Sequence, residues 1–243
     1  MTEILIINPN TSPDVSESLS RLARAELGPT VGIRVVTAAF GARYIGSRAG
    51  VAIAGHAALD ALASALAAGA QPDAVVLACF GDPGLDALRE VSAVPVYGFA
   101  DSGLTHAAAE PGRFAIATIG AAWGDMLAEL VERRGLGDRL AAILTLDEDS
   151  RVPAVAVRKI AEGAGAAGAS RVIVGGTGLI PIMDEIMRAL PLPVIDPHRL
   201  TLREAAGTRS EFHVPGRQAS DFIGLGPALH RLLGQTATPA AST

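Results

Sequence analysis

Two stretches of this chain follow the same order of elements, and this repetition limits the folds open to it. The first, "AVVLACFGDPGLDALREVSAVPVYG", begins at Ala74, and the second, "SRVIVGGTGLIPIMDEIMRALPLPVID", begins at Ser170. Each reads as an apolar strand, a glycine-rich turn, a short amphipathic helix and a strand introduced by proline. A repeat spaced by roughly a hundred residues predicts two similar halves.

The segments upstream of each repeat extend this prediction. "EILIIN" (Glu3–Asn8) precedes the first repeat as "RFAIATIG" (Arg113–Gly120) precedes the second, and both read as strands. Because strands alternate with helices along the chain, we predict an α/β fold. Its two pseudo-equivalent halves should each contain a parallel sheet flanked by helices, with the active cleft between them.

The chain order also suggests where the halves divide. We expect residues 1–101 and 197–234 to form the first half and residues 102–196 the second, because the C-terminal segment follows the second repeat. Residues 235–243, rich in Thr, Ala, Pro and Ser, are expected to be a flexible tail.

Composition excludes several classes of function. The net charge of −5 comes without a basic patch, so no nucleic-acid partner is expected. No apolar run approaches the roughly 18 residues of a membrane span. The start, "MTEILIINPN", lacks the pattern of a signal peptide, and the chain has one cysteine among 243 residues. We therefore expect a cytoplasmic protein without a disulfide or a membrane partner.

The predicted sheets bring polar and glycine positions together. Ligands of parallel α/β sheets bind outside the carboxyl ends of the strands. Two halves facing each other would place Asn8, Cys79, Thr118 and Gly176 around one cleft. This cleft is the candidate site for a small-molecule substrate.

Cys79, the single cysteine, follows a strand and enters a turn before a helix. Free N–H groups and the positive end of that helix would lower the thiol pKa, so that iodoacetamide would label the native protein at unusually low pH. A thiolate there suits proton transfer at an acidic carbon next to a carbonyl. The alternative is that Cys79 is a small buried hydrophobic residue.

Backbone N–H groups of both glycine turns are candidates for binding a carboxylate, carbonyl or enolate oxygen of a small-molecule substrate that has a carboxylate or carbonyl next to an acidic carbon. They belong to Phe80 and Gly81 in the first turn, and to Thr177 and Gly178 in the second. Such turns need glycine because a side chain would block the approach of a ligand to the backbone.

Side chains near these turns have both functional and structural interpretations. Asn10 and Thr118 are predicted to bind substrate, although turn formation also explains an asparagine or threonine there. Asp82 precedes Pro83 and is predicted to cap the following helix. His198 follows the strand "PVIDP" and is a possible replacement base. No nucleotide-binding motif occurs. Metal-ligand spacing is also absent among the five histidines, which are His56, His106, His198, His213 and His230.

The motifs "INPNTS" (Ile7–Ser12) and "CFGDPGL" (Cys79–Leu85) resemble the aspartate/glutamate/hydantoin racemase superfamily, in particular its hydantoin and allantoin racemase branch. The resemblance implies the doubled α/β fold, assembly from identical subunits, and no metal or organic cofactor. It also implies two cysteines on opposite faces of the substrate's α-carbon, with Asn10 beside the first of them.

The chain departs from this family pattern at the second cysteine. The family motif is roughly Gly-Cys-Ala-Gly-Met, whereas this chain has "GGTGL", with Gly176 at the cysteine position. The function implied is a cofactor-independent racemase or isomerase of the hydantoin racemase type that uses Cys79. Two alternatives remain open: a single-cysteine decarboxylase of the arylmalonate decarboxylase type, and a non-catalytic small-molecule-binding relative.

Overall fold

A computed structural model describes residues 2–208 and 221–234. In this part of the chain, eight strands form two four-stranded parallel sheets of the same topology. The predicted α/β class is therefore confirmed. The predicted flexible tail (235–243) and His213 lie outside the described residues.

The first sheet has the strand order β2-β1-β3-β4. It consists of β1 (Thr2–Asn8), β2 (Val31–Thr37), β3 (Ala74–Leu77) and β4 (Val96–Gly98), with helices α1 (Pro13–Leu27), α2 (Arg48–Ala67), α3 (Leu85–Val91) and α4 (Phe99–Ala109). Pro13 opens α1 at its first turn, as expected of a residue that lacks a donor and has a helical φ.

The second sheet repeats this order as β6-β5-β7-β8. Its elements are β5 (Phe114–Ile119), α5 (Trp123–Arg133), β6 (Leu140–Leu146), α6 (Pro153–Ala166), β7 (Arg171–Val174), α7 (Met183–Ala189) and β8 (Val194–Ile195). Short 3₁₀ helices occur at Gly137–Arg139, Glu148–Arg151 and Thr177–Ile182. Helices α8 (Pro197–Ala206) and α9 (Pro227–Gly234) complete the described chain.

Strand register makes the two sheets comparable residue by residue. Ile7 pairs with Leu77 in the first sheet, and Ala117 pairs with Val174 in the second. The N–H of Ala78, just after β3, donates to the Ile7 carbonyl at 2.8 Å. The N–H of Gly175, just after β7, donates to the Ala117 carbonyl at 2.9 Å. Cys79 and Gly176 each lie two residues beyond these pairs, so they occupy equivalent positions.

The two sheets share part of their core. One cluster of buried apolar side chains includes Ile4 of β1, Phe99 of α4, Phe114 of β5 and Ile173 of β7. Separate clusters fill the outer face of each sheet. Helix α8 packs on α1 and α4, and α9 packs on α2. The expected division after residue 101 falls inside α4 and stays a prediction.

Helix α2 is longer and more apolar than expected, because no apolar run long enough to span a membrane was predicted. Among the described helices it alone has the length and hydropathy of a membrane span. Buried alanines and Leu62 line the helix on the side that packs on β1, α3 and α9. Length and composition alone are therefore weak evidence for a span here.

Candidate active site

A cavity of about 570 Å³ lies at the carboxyl ends of β3, β5 and β7. Cys79 and Gly176, the two equivalent positions, both line it. The other predicted site residues on its wall are Asn10, Phe80, Thr118, Thr177 and Gly178. Gly81 and Asn8, both expected at the cleft, are not among the lining residues.

Cys79 keeps some solvent contact through the cavity and packs against the shared core. Burial raises the pKa of its thiol well above the ordinary range, and the charge of the nearby Asp82 carboxylate adds to the rise. The predicted lowering of the thiol pKa was therefore wrong, and unusually easy alkylation at low pH is no longer expected. The free α3 N-terminus predicted beside the sulfur is not there, because α3 begins only at Leu85.

The turn after Cys79 is closed by its own backbone. The N–H groups of Gly81 and Asp82 donate to the Cys79 carbonyl at 2.9 and 3.1 Å. The Gly81 N–H is therefore not free to bind substrate, contrary to the prediction. A side chain at Gly81 would also collide with the indole ring of Trp123. Of the two donors predicted in this turn, Phe80 N–H is the one left for a ligand.

Asp82 does not cap α3. Its carboxylate instead accepts hydrogen bonds from the N–H groups of Ala100 and Asp101, at 3.2 and 2.6 Å, in the first turn of α4. Asp82 thus caps α4, the helix that follows the next strand, and not α3 as predicted. Local spacing in the sequence does not reveal this partner.

On the opposite wall, Gly176 has a φ of +97° and precedes the 3₁₀ helix that begins at Thr177. The nearest atom to a Cβ built on Gly176 is the Thr118 hydroxyl oxygen, at 3.0 Å. Thr118 is buried. The first N–H groups of a helix have no partner within it, so those of Thr177 and Gly178 are available to a ligand.

Asn8 and Asn10 divide structural and site functions. Asn8 is fully buried, and its amide donates to the Ser12 carbonyl and the Ser16 hydroxyl. Asn10 is partly exposed and uses its amide oxygen to accept from Ser12 N–H at 2.9 Å. The amide nitrogen of Asn10 therefore remains as the donor available to the cavity.

The chain is similar to known proteins in sequence and in fold. A family model described as Asp/Glu/Hydantoin racemase matches residues 4–205. A hydantoin racemase from Paenarthrobacter aurescens is 30% identical over 210 residues, covering 83% of this chain and 89% of that protein. The structure of allantoin racemase from Klebsiella pneumoniae matches with a TM-score of 0.74 at 28% identity, over 85% of this chain and 86% of that one. An arylmalonate decarboxylase, 15% identical with a TM-score of 0.60 over 84% and 91% of the two chains, shares the fold.

This chain belongs to the Asp/Glu/hydantoin racemase family. The resemblance predicted from its two motifs is confirmed, and its hydantoin and allantoin racemase relatives support the hydantoin racemase branch. The protein is an enzyme of the cofactor-independent racemase type, and the family acts on small molecules.

The racemase cavity also contains residues that sequence reasoning missed. Trp123, the only tryptophan of the chain, opens α5 and lies on the wall. Glu148 and Arg151 form an ion pair at the cavity and belong to a 3₁₀ helix. Trp123 begins the helix after β5, as Pro13 begins the helix after β1. The repeat could therefore have predicted that Trp123 lies near the cavity. The Glu148–Arg151 pair had no such signal.

Tyr44 connects the two halves of this racemase fold. It lies in the loop "GARYIGSRAG", and its hydroxyl donates to the Ile119 carbonyl of the second half at 3.3 Å. Burial raises the pKa of Tyr44, and the neighbouring Trp123 side chain opposes that rise. The tyrosine side chain lines part of the cavity.

His198, the possible replacement base, does not line the cavity. It is 1% exposed, its Nδ1 lies 3.0 Å from Asp196, and its Nε2 has no hydrogen-bond partner within the described residues. Its ring packs edge-on against Phe99. Within residues 2–208 and 221–234, no group of three or more His, Cys, Asp or Glu side chains could hold a metal ion.

Proposed function

We propose that this enzyme moves a proton at the acidic α-carbon of a small carbonyl compound of the hydantoin type, using Cys79 and no cofactor. The observation that carries the proposal is the equivalence of Cys79 and Gly176 across one cavity. A planar substrate between them would present one face of its α-carbon to the thiol and the other to a glycine.

The polar groups of the wall suit an enolate. The N–H groups of Phe80, Thr177 and Gly178, with the Asn10 amide, are donors that can stabilise the negative oxygen formed when the α-proton leaves. The pKa of a free hydroxyl is too high for Thr118 or Thr177 to act as an unaided base. The proposal assigns the acid and the base to Cys79, the one thiol on the cavity wall.

A second reaction is favoured by the single thiol of the cavity, which has a glycine at the equivalent position and a raised pKa. A thiol that holds its proton is a suitable acid, and decarboxylation of a malonate needs an acid more than a base. In that reaction the C–C bond electrons form the enolate as carbon dioxide leaves. The Cys79 proton then passes to the α-carbon from one face, and water restores the proton to sulfur.

Hydrogen exchange tests the first reaction. With a 5-substituted hydantoin in deuterated water, we expect α-hydrogen exchange to outrun racemisation, because both proton transfers use one face. Cys79→Ser should lose the exchange, since a serine hydroxyl is a far weaker acid than a thiol and its basic alkoxide form is not populated near neutral pH. Equal exchange and racemisation rates would show that another group serves the second face. Carbon dioxide release from a disubstituted malonate, without hydrogen exchange, would favour the decarboxylase. Absence of both reactions would indicate a non-catalytic binding relative.

A second thiol tests the geometry. In Gly176→Cys, racemisation of the hydantoin should appear or rise strongly, and should vanish when Cys79→Ala is added. The φ of +97° and the 3.0 Å contact with Thr118 make this change strained, at a cost of about 1–3 kcal/mol in folding free energy. Gly176→Ser is the matched control, with similar strain and no thiol. A folded Gly176→Cys that binds substrate without faster racemisation would contradict the two-faced cavity.

A further inference from the structure

Asp82 has an unusual backbone conformation. With a φ of +48°, it is the only non-glycine residue in the described part of the chain with positive φ. An L-residue in this region is destabilised by about 1–2 kcal/mol relative to the right-handed region. The strain lies three residues after Cys79, in the turn that carries the thiol.

The carboxylate of Asp82 is held from several sides. Asp82 is 7% exposed and accepts the N–H groups of Ala100 and Asp101. Gly98, which precedes α4, lies so close that a Cβ there would collide with the carboxylate. The turn after β3 is therefore fastened by one side chain to the beginning of α4.

The contact continues beyond α4. The Asp101 carboxylate, 14% exposed, pairs with Arg89 of α3 and with Arg134, the residue after α5. Elements of both halves thus meet at Asp101, next to the two N–H groups that hold Asp82. The position of Asp82 is therefore fixed by its two hydrogen bonds to α4 and by the ion pairs of Asp101 beside them.

We propose that Asp82 is a positioning residue for Cys79: it anchors the thiol-bearing turn to α4, and its buried carboxylate is the charged group that acts on the thiol. This inference rests on the proposed use of Cys79 in catalysis. Asp82 need not touch the substrate, and it does not line the cavity.

The charges around the pair support this coupling. Burial raises the pKa of Asp82 to about 7, the two α4 N–H groups and Arg134 oppose the rise, and Asp101 adds to it. The ionised Asp82 in turn raises the pKa of Cys79, whose charge also acts on Tyr44. Because Asp82 changes charge near neutral pH, Cys79 should lose its proton less readily once Asp82 is ionised.

Alkylation of the single cysteine measures this coupling directly. With iodoacetamide, from about pH 5 to about pH 9, the logarithm of the wild-type rate should rise with unit slope, flatten near pH 7 as Asp82 ionises, and then rise again. Asp82→Asn removes the charge, so the flattening should disappear, and above pH 7 labelling should be roughly tenfold faster than in the wild type.

Two further variants make the result specific. Asp86→Asn removes the same charge from an exposed residue of α3 and should keep the wild-type profile. Asp82→Gly removes the carboxylate and tolerates the φ of +48°, so it replaces Asp82→Asn if that variant does not fold.

A folded Asp82 variant with the wild-type profile, or a wild-type profile with constant unit slope, would overturn the inference and leave Asp82 as a helix cap. The exchange assay separates this result from failure of the proposed reaction. If the labelling profile behaves as expected but no substrate exchanges its α-hydrogen, the coupling stands and the reaction assigned to the cavity is wrong.

Discussion

Asn8 and Asn10 show how two identical residues in one turn acquire different functions. Asn8 uses both hydrogens of its amide inside the turn, whereas Asn10 uses only its oxygen. The difference follows from direction: Asn8 is the last residue of β1 and faces the interior, and Asn10 faces the cavity.

Exchanging each amide for a carboxylate should separate these functions. Asn10→Asp keeps the acceptor for Ser12 N–H but removes the donor offered to the substrate, so kcat/KM should fall at least tenfold while stability changes by less than about 1 kcal/mol. Asn8→Asp loses the buried hydrogen bond to the Ser12 carbonyl, places a carboxylate against that carbonyl and buries a charge, and should lower the free energy of unfolding by about 3 kcal/mol or more. Urea unfolding and steady-state kinetics measure both effects. Unchanged kinetics in Asn10→Asp would remove Asn10 from the site.

Which residues reach the cavity could be predicted largely from the motifs, because strand ends in parallel sheets converge. The sign of the Cys79 pKa shift could not. The sequence suggested helix N–H groups that lower the pKa, whereas burial and the Asp82 charge both raise it, and the amount of burial depends on side chains distant in sequence, such as those of the shared core. The partner of Asp82 was missed for the same reason, since α4 begins 17 residues later.

Between elements, the packing of α2 against the turn before α3 depends on two glycines. Gly84, with a φ of +79°, lies against Gly55 of α2, and a Cβ on Gly84 would lie 2.9 Å from the Gly55 Cα. A Cβ on Gly55 would instead meet the Gly84 backbone at 3.4 Å, an ordinary contact. The close approach therefore restricts one glycine much more than the other.

Alanine at each glycine should give unequal results. Gly84→Ala combines an unfavourable φ with a backbone collision and should lower the free energy of unfolding by about 2–4 kcal/mol. Gly55→Ala gains helix propensity of about 1 kcal/mol, which offsets the tighter contact, so stability should change by less than about 1 kcal/mol. Thermal unfolding of the two variants tests this, and equal losses would contradict the described approach of α2.

The repeat in the sequence predicted most of the secondary-structure elements. Strands, helices and the equivalence of the two turns follow from apolar periodicity and glycine position in both halves. The 3₁₀ helix Glu148–Arg151 does not, because its one buried residue is Ser150 and it has no apolar period. Its contribution to the cavity depends on where β6 ends beside β5.

In the whole molecule, stability should depend on the ionisation of Asp82. Burial raises its pKa to about 7 in the folded protein, from 3.8 for an unburied aspartate carboxyl. The folded state therefore binds this proton more tightly than the unfolded state does. The resulting stabilisation is present at low pH and is lost as the pH rises from about 4 to about 7, by at most about 4 kcal/mol.

The comparison with Asp82→Asn isolates this contribution. Between about pH 4 and about pH 8, the free energy of unfolding of the wild type should fall relative to that of the variant. Other titrating groups act in both proteins, so the difference between the two curves reports on Asp82. Parallel curves would show that Asp82 has the same pKa in the folded and unfolded states.

Trp123 gives the molecule a built-in optical probe. It is the only tryptophan, it lies on the cavity wall, and its ring packs on the turn that carries Cys79. Intrinsic fluorescence excited in the indole band therefore comes from one place, on the wall of the cavity. Occupancy of the cavity can be followed as a change in emission without a label, even in variants whose chemistry has been removed.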